Sequence, residues 1–387
     1  MSRATSSASI AVIGGGVIGA SVAYHLALNG MRDVVIIDAA PGPGHGSTGR
    51  ATGGFRAQFS TPVNVKMSLY SRDRLMEFQN ETGVDSGYDP VGYLWIAHND
   101  RHLDALASAQ TVQREHGLTE ATMVAPEEIA ALNPAIAPEG ITGGTFCQSD
   151  GYIRPLEILR GYLEAGRRLG VTERWGSKCL GLELDAGRIR AIRTSTGMID
   201  VDNVVNAAGP WASRVAALCG INLPVTPLRR QAAITVPTDA IPANMPMTIF
   251  LDTGFHVRSR DGRALLCWPT NEAAGDTLTV DDAWLASVDE MKRQRIPALA
   301  DVQLDRQQCY AGLYEMSPDH HAIVGFAPEC ENLFLVNGSS GHGVMHSPAL
   351  GAVAADMICG RKPVIDVSSL RPTRFADGEA INSGELL

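Results

Sequence analysis

The chain has 387 residues, more than one hydrophobic core usually spans, so two domains are expected. A hydrophobic share of 45% against 19% charged residues excludes a disordered chain and suits an enzyme with a large interior. The net charge of −10 disfavours nucleic acid and anionic membrane surfaces as partners. The cysteines are Cys147, Cys179, Cys219, Cys267, Cys309, Cys330 and Cys359, an odd set with no CxxC pair. That set argues against a disulfide framework and against a zinc or other metal centre, and it fits a reducing, cytoplasmic setting.

Residues 1–9 are small and polar and are expected to fray. Residues 10–13 predict a short buried strand. A glycine turn follows, then an amphipathic helix over 17–29 stopped by Gly30. The apolar stretch 10–28 is broken by Gly14, Gly15, Gly16, Gly19, Ser21, Tyr24 and His25, so it reads as strand and helix rather than a membrane span. A second strand over 34–37 ends at Asp38 and completes a β-turn-α-β unit of about 30 residues. Residues 41–54 form a glycine-rich loop of the length that usually carries function.

Helices over 64–82, 100–116, 126–131 and 153–169 then alternate with strands over 88–97 and 143–147. From residue 171 the pattern changes to a meander over 180–184, 189–194 and 197–200. A buried strand over 204–206 ends in Ala207-Ala208-Gly209, ahead of a short helix over 211–218. Strands over 228–236, 248–251, 256–259 and 264–268 predict a second sheet, followed by a helix over 281–293. A strand over 333–336 leads into Gly338-Ser339-Ser340-Gly341-His342-Gly343 and a last helix over 345–359. The expected fold class is α/β plus α+β.

Three glycine-bearing elements carry chemistry. In Gly14-Gly15-Gly16-Val17-Ile18-Gly19, Gly14 permits a tight turn and Gly16 lets backbone N–H groups approach a pyrophosphate. Gly19 brings the helix close to the sheet, and the helix N-terminus faces the phosphates. Asp38, at the next strand end, suits a ribose and would repel a 2′-phosphate. The strip His45-Gly46-Ser47-Thr48-Gly49-Arg50-Ala51-Thr52-Gly53-Gly54 offers a path for a cofactor longer than NAD, which points to FAD. The third element, Gly338 to Gly343, opens the last helix, whose free N–H groups would stabilise negative charge on a reduced flavin. Taken singly, these elements also read as a plain tight turn, a surface loop and a helix-entry turn.

The segments IAVIGGGVIGASVAYHL, GSTGRATGGFRAQFS, DGYIRP, VVNAAGPWA, LYEMSPDHHAIVG and NGSSGHGVMHSPALG resemble those of the D-amino acid oxidase and sarcosine oxidase superfamily of FAD enzymes. The resemblance spans nearly the whole chain. It is strongest to the β-subunits of sarcosine oxidase and dye-linked L-proline dehydrogenase, and it extends to a mitochondrial flavoprotein that assists respiratory complex I assembly. It implies an FAD-binding, Rossmann-like domain of the glutathione-reductase type over 1–86, 150–222 and 318–377. An antiparallel-sheet substrate domain over 87–149 and 223–317 and a tail over 378–387 complete that division.

The implied FAD contacts begin with Ile13, Gly14, Gly16, Val17, Ile18, Gly19, Asp38 and Ala39. They continue through Ser47, Thr48, Arg50, Ala51, Thr52, Gly53 and Gly54. Cys179, Ala207, Ala208, Gly209, Trp211 and Gly312 follow, then Gly338, Gly341, His342, Gly343, Val344 and Met345. The implied reaction moves a hydride from a carbon beside an amine nitrogen to flavin N5 and leaves an imine that water hydrolyses.

By the same resemblance Arg56 is the carboxylate anchor, since its planar fork suits bidentate binding; a plain salt bridge is the other reading. His256 could orient the amine or accept a proton. Arg258 shares a strand face with it, and Trp268 ends the next strand. Tyr314 and His342 are further catalytic candidates, and Met345 stands where related oxidases carry a substrate-binding lysine. Gly312 stands where they carry the cysteine that attaches flavin, so noncovalent FAD is expected. The stretch between Lys178 and Lys292 holds no lysine to activate oxygen, which favours a dehydrogenase with an unidentified electron acceptor. A secondary amine such as sarcosine, another N-methyl amino acid or a proline-like acid is the expected substrate. Alternatives are a D-amino acid dehydrogenase, a glycine-type oxidase, or a flavin-bearing subunit or assembly factor that works with a partner.

Overall fold

The computed structural model describes residues 5–270, 272 and 274–382. Residues 1–4 of the frayed segment and 383–387 of the tail therefore lie outside the described residues. Within them, two eight-stranded sheets organise the fold.

The centre of the first sheet is the strand Thr5–Ile13. It pairs in parallel with Val34–Ile37 on one side and with Gly197–Asn206 on the other. Its end reads Ile10-Ala11-Val12-Ile13 because both faces are covered, one by long helices and the other by the meander and the short helix Ala212–Ala217, so alternation has no solvent side to serve. Cys330–Asn337 and Thr172–Arg174 extend the parallel order outward. Ile323–Ala327 and the meander Cys179–Asp185 with Arg188–Thr194 attach antiparallel.

Two expectations change here. Residues 5–9 are strand, not frayed, because they continue the ladder along 198–201. The predicted strands over 197–200 and 204–206 are one ten-residue strand, Gly197–Asn206, so its partner must also be long.

The helix Val17–Leu28 is buried nearly all round rather than amphipathic. It is enclosed by the helices Gly343–Ile358 and Pro155–Arg168 as well as by the sheet. Gly351 makes the close helix contact possible, since a Cβ there would fall 2.1 Å from Ser21 Oγ.

The second sheet runs Tyr310–Met316, Thr226–Ile234, Arg263–Cys267, His256–Arg260, Met247–Phe250, Tyr93–Ala97, Gly143–Cys147 and Thr122–Val124. It is antiparallel except that Met247–Phe250 and Tyr93–Ala97 run parallel. Among the described residues no helix is long and apolar enough to cross a membrane.

One buried ion pair closes the fold. Arg374, fully buried, holds both carboxylate oxygens of Asp319 at 2.8 Å, and Ile381 N donates to the same carboxylate. Burial pushes the Asp319 carboxyl up, but the hydrogen bonds from Arg374 outweigh it and hold it at about 2. A carboxyl depressed in the folded state contributes stability above its unfolded value near 4, and that contribution fades as the pH falls toward 2. Arg374→Ala should cost about 3–5 kcal/mol, the loss on orphaning a buried charge. It should also flatten the fall of the urea midpoint between pH 4 and 2. An unchanged acid slope in the variant would contradict this account.

Candidate active site

Three parallel strands end at the same edge of the first sheet, and each runs directly into a turn. Ile13 leads to Gly14, Asn206 to Ala207, and Asn337 to Gly338. A cleft beyond the carboxyl ends of parallel strands is where this architecture binds ligands. Here it opens into a cavity of about 1030 Å³ that continues under the second sheet.

Gly14 has φ +110°, and a Cβ there would fall 2.2 Å from Ala207 O. At Gly16 the nearest atom to an added Cβ is Thr48 Oγ1 at 3.5 Å, so the chain itself leaves that space open. Asp38 shapes the turn as well as facing the cavity: Gly15 N donates to Oδ2 and Ala40 N to Oδ1, both at 2.7 Å. The loop between them docks on the second sheet. Ser47 Oγ donates to Leu313 O and Arg50 Nη1 to Ala311 O. At the far end the helix Gly343–Ile358 points its N-terminus into the cavity, with His342 at the cap position making no side-chain cap bond.

Arg56 follows the two-residue strand Gly54–Phe55, which pairs with Gly151–Tyr152. The side chain is 4% exposed. Nη1 donates to Gln58 O, and Nη2 donates to His342 Nε2 at 3.2 Å, which puts the imidazole proton on Nδ1. The guanidinium carbon lies 3.7 Å from the Phe59 ring centroid and 5.1 Å from that of Trp95. Among the described residues it forms no ion pair. Burial pushes it down to about 10, so it stays charged at neutral pH. Behind it, Asp150 accepts from Ala57 N at 2.7 Å and from Gln58 Nε2 at 3.1 Å.

His256 lies across the cavity on the second sheet. Its Nδ1 is 2.9 Å from Gly254 O, so Nδ1 donates and Nε2 keeps its lone pair. Burial lowers its pKa, as do Arg230 and Arg56, while the Gly254 contact works the other way. Tyr314, Trp268 and Met345 line the same space.

Every cofactor, substrate or catalytic candidate named from the sequence lines this cavity except Gly19, Gly338 and Arg258. Gly19 serves packing: a Cβ would sit 1.9 Å from Gly14 O. Gly338 makes a turn with φ +70° tight against Ser317. Arg258 is the larger correction. Its Nη1 donates to Thr52 O at 2.7 Å and Gly53 O at 2.9 Å, and its guanidinium stacks 3.6 Å from the Tyr152 ring. Those buried carbonyls need donors, so Arg258 grips the loop and leaves the cavity to others.

Missed from the sequence were Tyr93, Trp95, Arg230, Met247, Ile249, Tyr310 and Glu315, which also line it. A row across the sheet explains Tyr310, Ile249 and Trp95: Tyr310, Ala232, Cys267, His256, Ile249 and Trp95 are consecutive cross-strand partners. Burial pushes Glu315 up to about 7.

Residues 9–357 match the FAD dependent oxidoreductase family. The chain belongs to that family. It is therefore an FAD-dependent oxidoreductase. Across 98% of its length it superposes on all of L-proline dehydrogenase from P. horikoshii, with a TM-score of 0.91 and 26% identity. FAD-dependent oxidoreductase domain-containing protein 1 of Xenopus laevis is 28% identical, covering 97% of this chain and 84% of that protein. Rat mitochondrial dimethylglycine dehydrogenase is 27% identical over 94% of this chain, which spans 44% of that longer protein.

The two glycines separate fold from ligand. Gly14→Ala should destabilise the fold itself, because its Cβ meets backbone. Gly16→Ala should keep the melting temperature of the apoprotein yet weaken FAD at least ~10-fold, the worth of roughly 1.4 kcal/mol. Fluorescence titration of FAD into both apoproteins checks this, and wild-type affinity in Gly16→Ala would contradict it.

Proposed function

We propose that this flavoenzyme oxidises the C–N bond of a secondary amine bearing a carboxylate, such as an N-methyl amino acid or a proline-like acid. The observation that carries this reading is Arg56: a charged guanidinium, buried in the cavity wall, with two of its five N–H donors spent on protein. A carboxylate is the group whose charge and two oxygens match what it leaves over.

The adenosine half of FAD is assigned to the turn at Gly14 to Ile18 and to Asp38, and the flavin end to Ser47–Gly54, Gly312 and Gly341–Met345. The open space at Gly16 and the unpaired helix N-terminus support this fit. The strands of the first sheet fall within 1–86, 150–222 and 318–377, and those of the second within 87–149 and 223–317, which supports that division into cofactor and substrate units. Bound FAD supplies the two-electron acceptor for a C–H bond beside nitrogen.

The chain's own residues do the rest. Arg56 holds the carboxylate, and His342 holds Arg56. His256, neutral with a bare Nε2, receives a proton or hydrogen bond from the amine, which must be uncharged to react. The aromatic and aliphatic roof of Tyr93, Trp95, Met247 and Ile249 keeps water from the reacting carbon. Proline, a secondary amine, and dimethylglycine, a tertiary one, in the names of L-proline dehydrogenase and dimethylglycine dehydrogenase support an N-substituted rather than a primary amine. Lys178 lines the cavity next to Ser177, whose N–H bonds Asp38 O at 2.8 Å, far in sequence from the roof strands; this supports an acceptor other than oxygen.

Anaerobic addition of sarcosine, dimethylglycine, L- or D-proline, glycine and D-alanine tests the reading. At least one secondary amine should bleach the flavin about 10-fold faster than glycine and D-alanine, a difference within reach of one pocket contact. Faster bleaching by D-alanine or glycine would favour a primary-amine enzyme, and no bleaching would contradict amine oxidation. Acid precipitation should leave the FAD in solution.

A further inference from the structure

Arg230 is a second cation in the same cavity that nothing above uses. It lies on the strand Thr226–Ile234, two residues from Ala232, and therefore on the same sheet face as the row that ends at His256 and Trp95. Its cross-strand partner is Gly312, which has no side chain to compete for the space. Its guanidinium carbon is 5.8 Å from the centroid of the Tyr314 ring.

The neighbouring arginine shows what is unusual. Arg229, on the opposite face, pairs with Glu272 at 2.6 Å and donates to Thr279 O at 2.9 Å. Among the described residues Arg230 makes only two hydrogen bonds, both from Nη1 and both 3.4 Å long, to the carbonyls of Arg229 and Thr270. Among the described residues it forms no ion pair. Other cavity cations are engaged: Arg214 pairs with Asp276 at 2.8 Å, and Arg50 donates to Ala311 O. Lys178 lies at the cofactor end, beside Ser177, whose N–H bonds Asp38 O. Arg56 and Arg230 are the cavity cations that both act on His256 and Tyr314, which line the same space.

Resting on the amine-oxidation reading, we propose that Arg230 binds a second carboxylate, so that the substrate is a secondary amino acid with an acidic side chain. Arg56 takes the α-carboxylate. Arg230 takes the distal one, and His256 and Tyr314 lie beside the amine.

The test uses the FAD-loaded enzyme under anaerobic conditions. Bleaching rates and apparent dissociation constants are compared for racemic N-methylaspartate, N-methylglutamate and N-methylalanine. One of the acidic compounds should be preferred over N-methylalanine by roughly 10- to 100-fold, the worth of a charge-assisted hydrogen-bonded pair. Arg230→Gln should reduce that preference to within about threefold, and Arg230→Lys should restore part of it as a point charge.

Equal use of acidic and neutral compounds by the wild type would overturn the inference while leaving amine oxidation standing. An equal loss on both in Arg230→Gln would overturn it too, by placing Arg230 on the α-carboxylate. If no amine bleaches the flavin, this inference falls with the reading it rests on.

Discussion

A buried guanidinium that forms no ion pair among the described residues sets the terms for the rest of this site. Taking a cation out of water costs several kcal/mol even after relaxation. Arg56 recovers part of that cost from the Phe59 and Trp95 rings and from Gln58 O and His342 Nε2. Asp150, whose oxygens accept from Ala57 N and Gln58 Nε2, acts on the guanidinium through space but makes no ion-pair contact with it. On the proposed reading a carboxylate ligand supplies the contact partner that Arg56 lacks. The low-dielectric wall that makes burial of the charge costly also makes the ligand's contact strong.

The two sheets divide the labour around that point. The first brings three strand ends and two glycine turns to one edge, where small residues leave room for a dinucleotide. The second supplies a roof whose cross-strand row places His256, Ile249 and Trp95 side by side. The loop between them is held from both sides, by Ser47 and Arg50 reaching the strand Tyr310–Met316 and by Arg258 reaching back to Thr52 and Gly53. On the proposed assignment, which gives the cradle to the cofactor, specificity resides in the roof.

The cofactor half was legible in the sequence because its signals are local. A glycine turn, an acid at the next strand end and a glycine run before a helix each need only their own neighbours. Arg56 was legible through family resemblance. The roof was harder to read. Alternation placed Arg258 and His256 on one face, which the structure shows, but a strand pattern cannot tell that the Thr52 and Gly53 carbonyls lie within reach of one and not the other. Arg229 and Arg230 look alike as a dipeptide. Only the register against Leu313 and Gly312, and the position of Glu272, distinguish Arg229, paired, from Arg230, which forms no ion pair among the described residues. Tyr93 and Trp95 were hidden for the same reason, because their strand enters the row by a parallel pairing that the hydrophobic pattern does not reveal.

The central claim is that Arg56 is the carboxylate anchor beside the flavin. The most direct measurement is a flavin-absorbance titration of the FAD-loaded enzyme with methylthioacetate, a carboxylate with no amine to oxidise. Wild type should bind it with a clear spectral shift. Arg56→Ala should weaken binding at least about 30-fold, the low end for removing one partner of a buried charge pair, while FAD affinity changes less than about threefold. Equal affinity for the carboxylate in both proteins, or a parallel loss of FAD, would contradict the account.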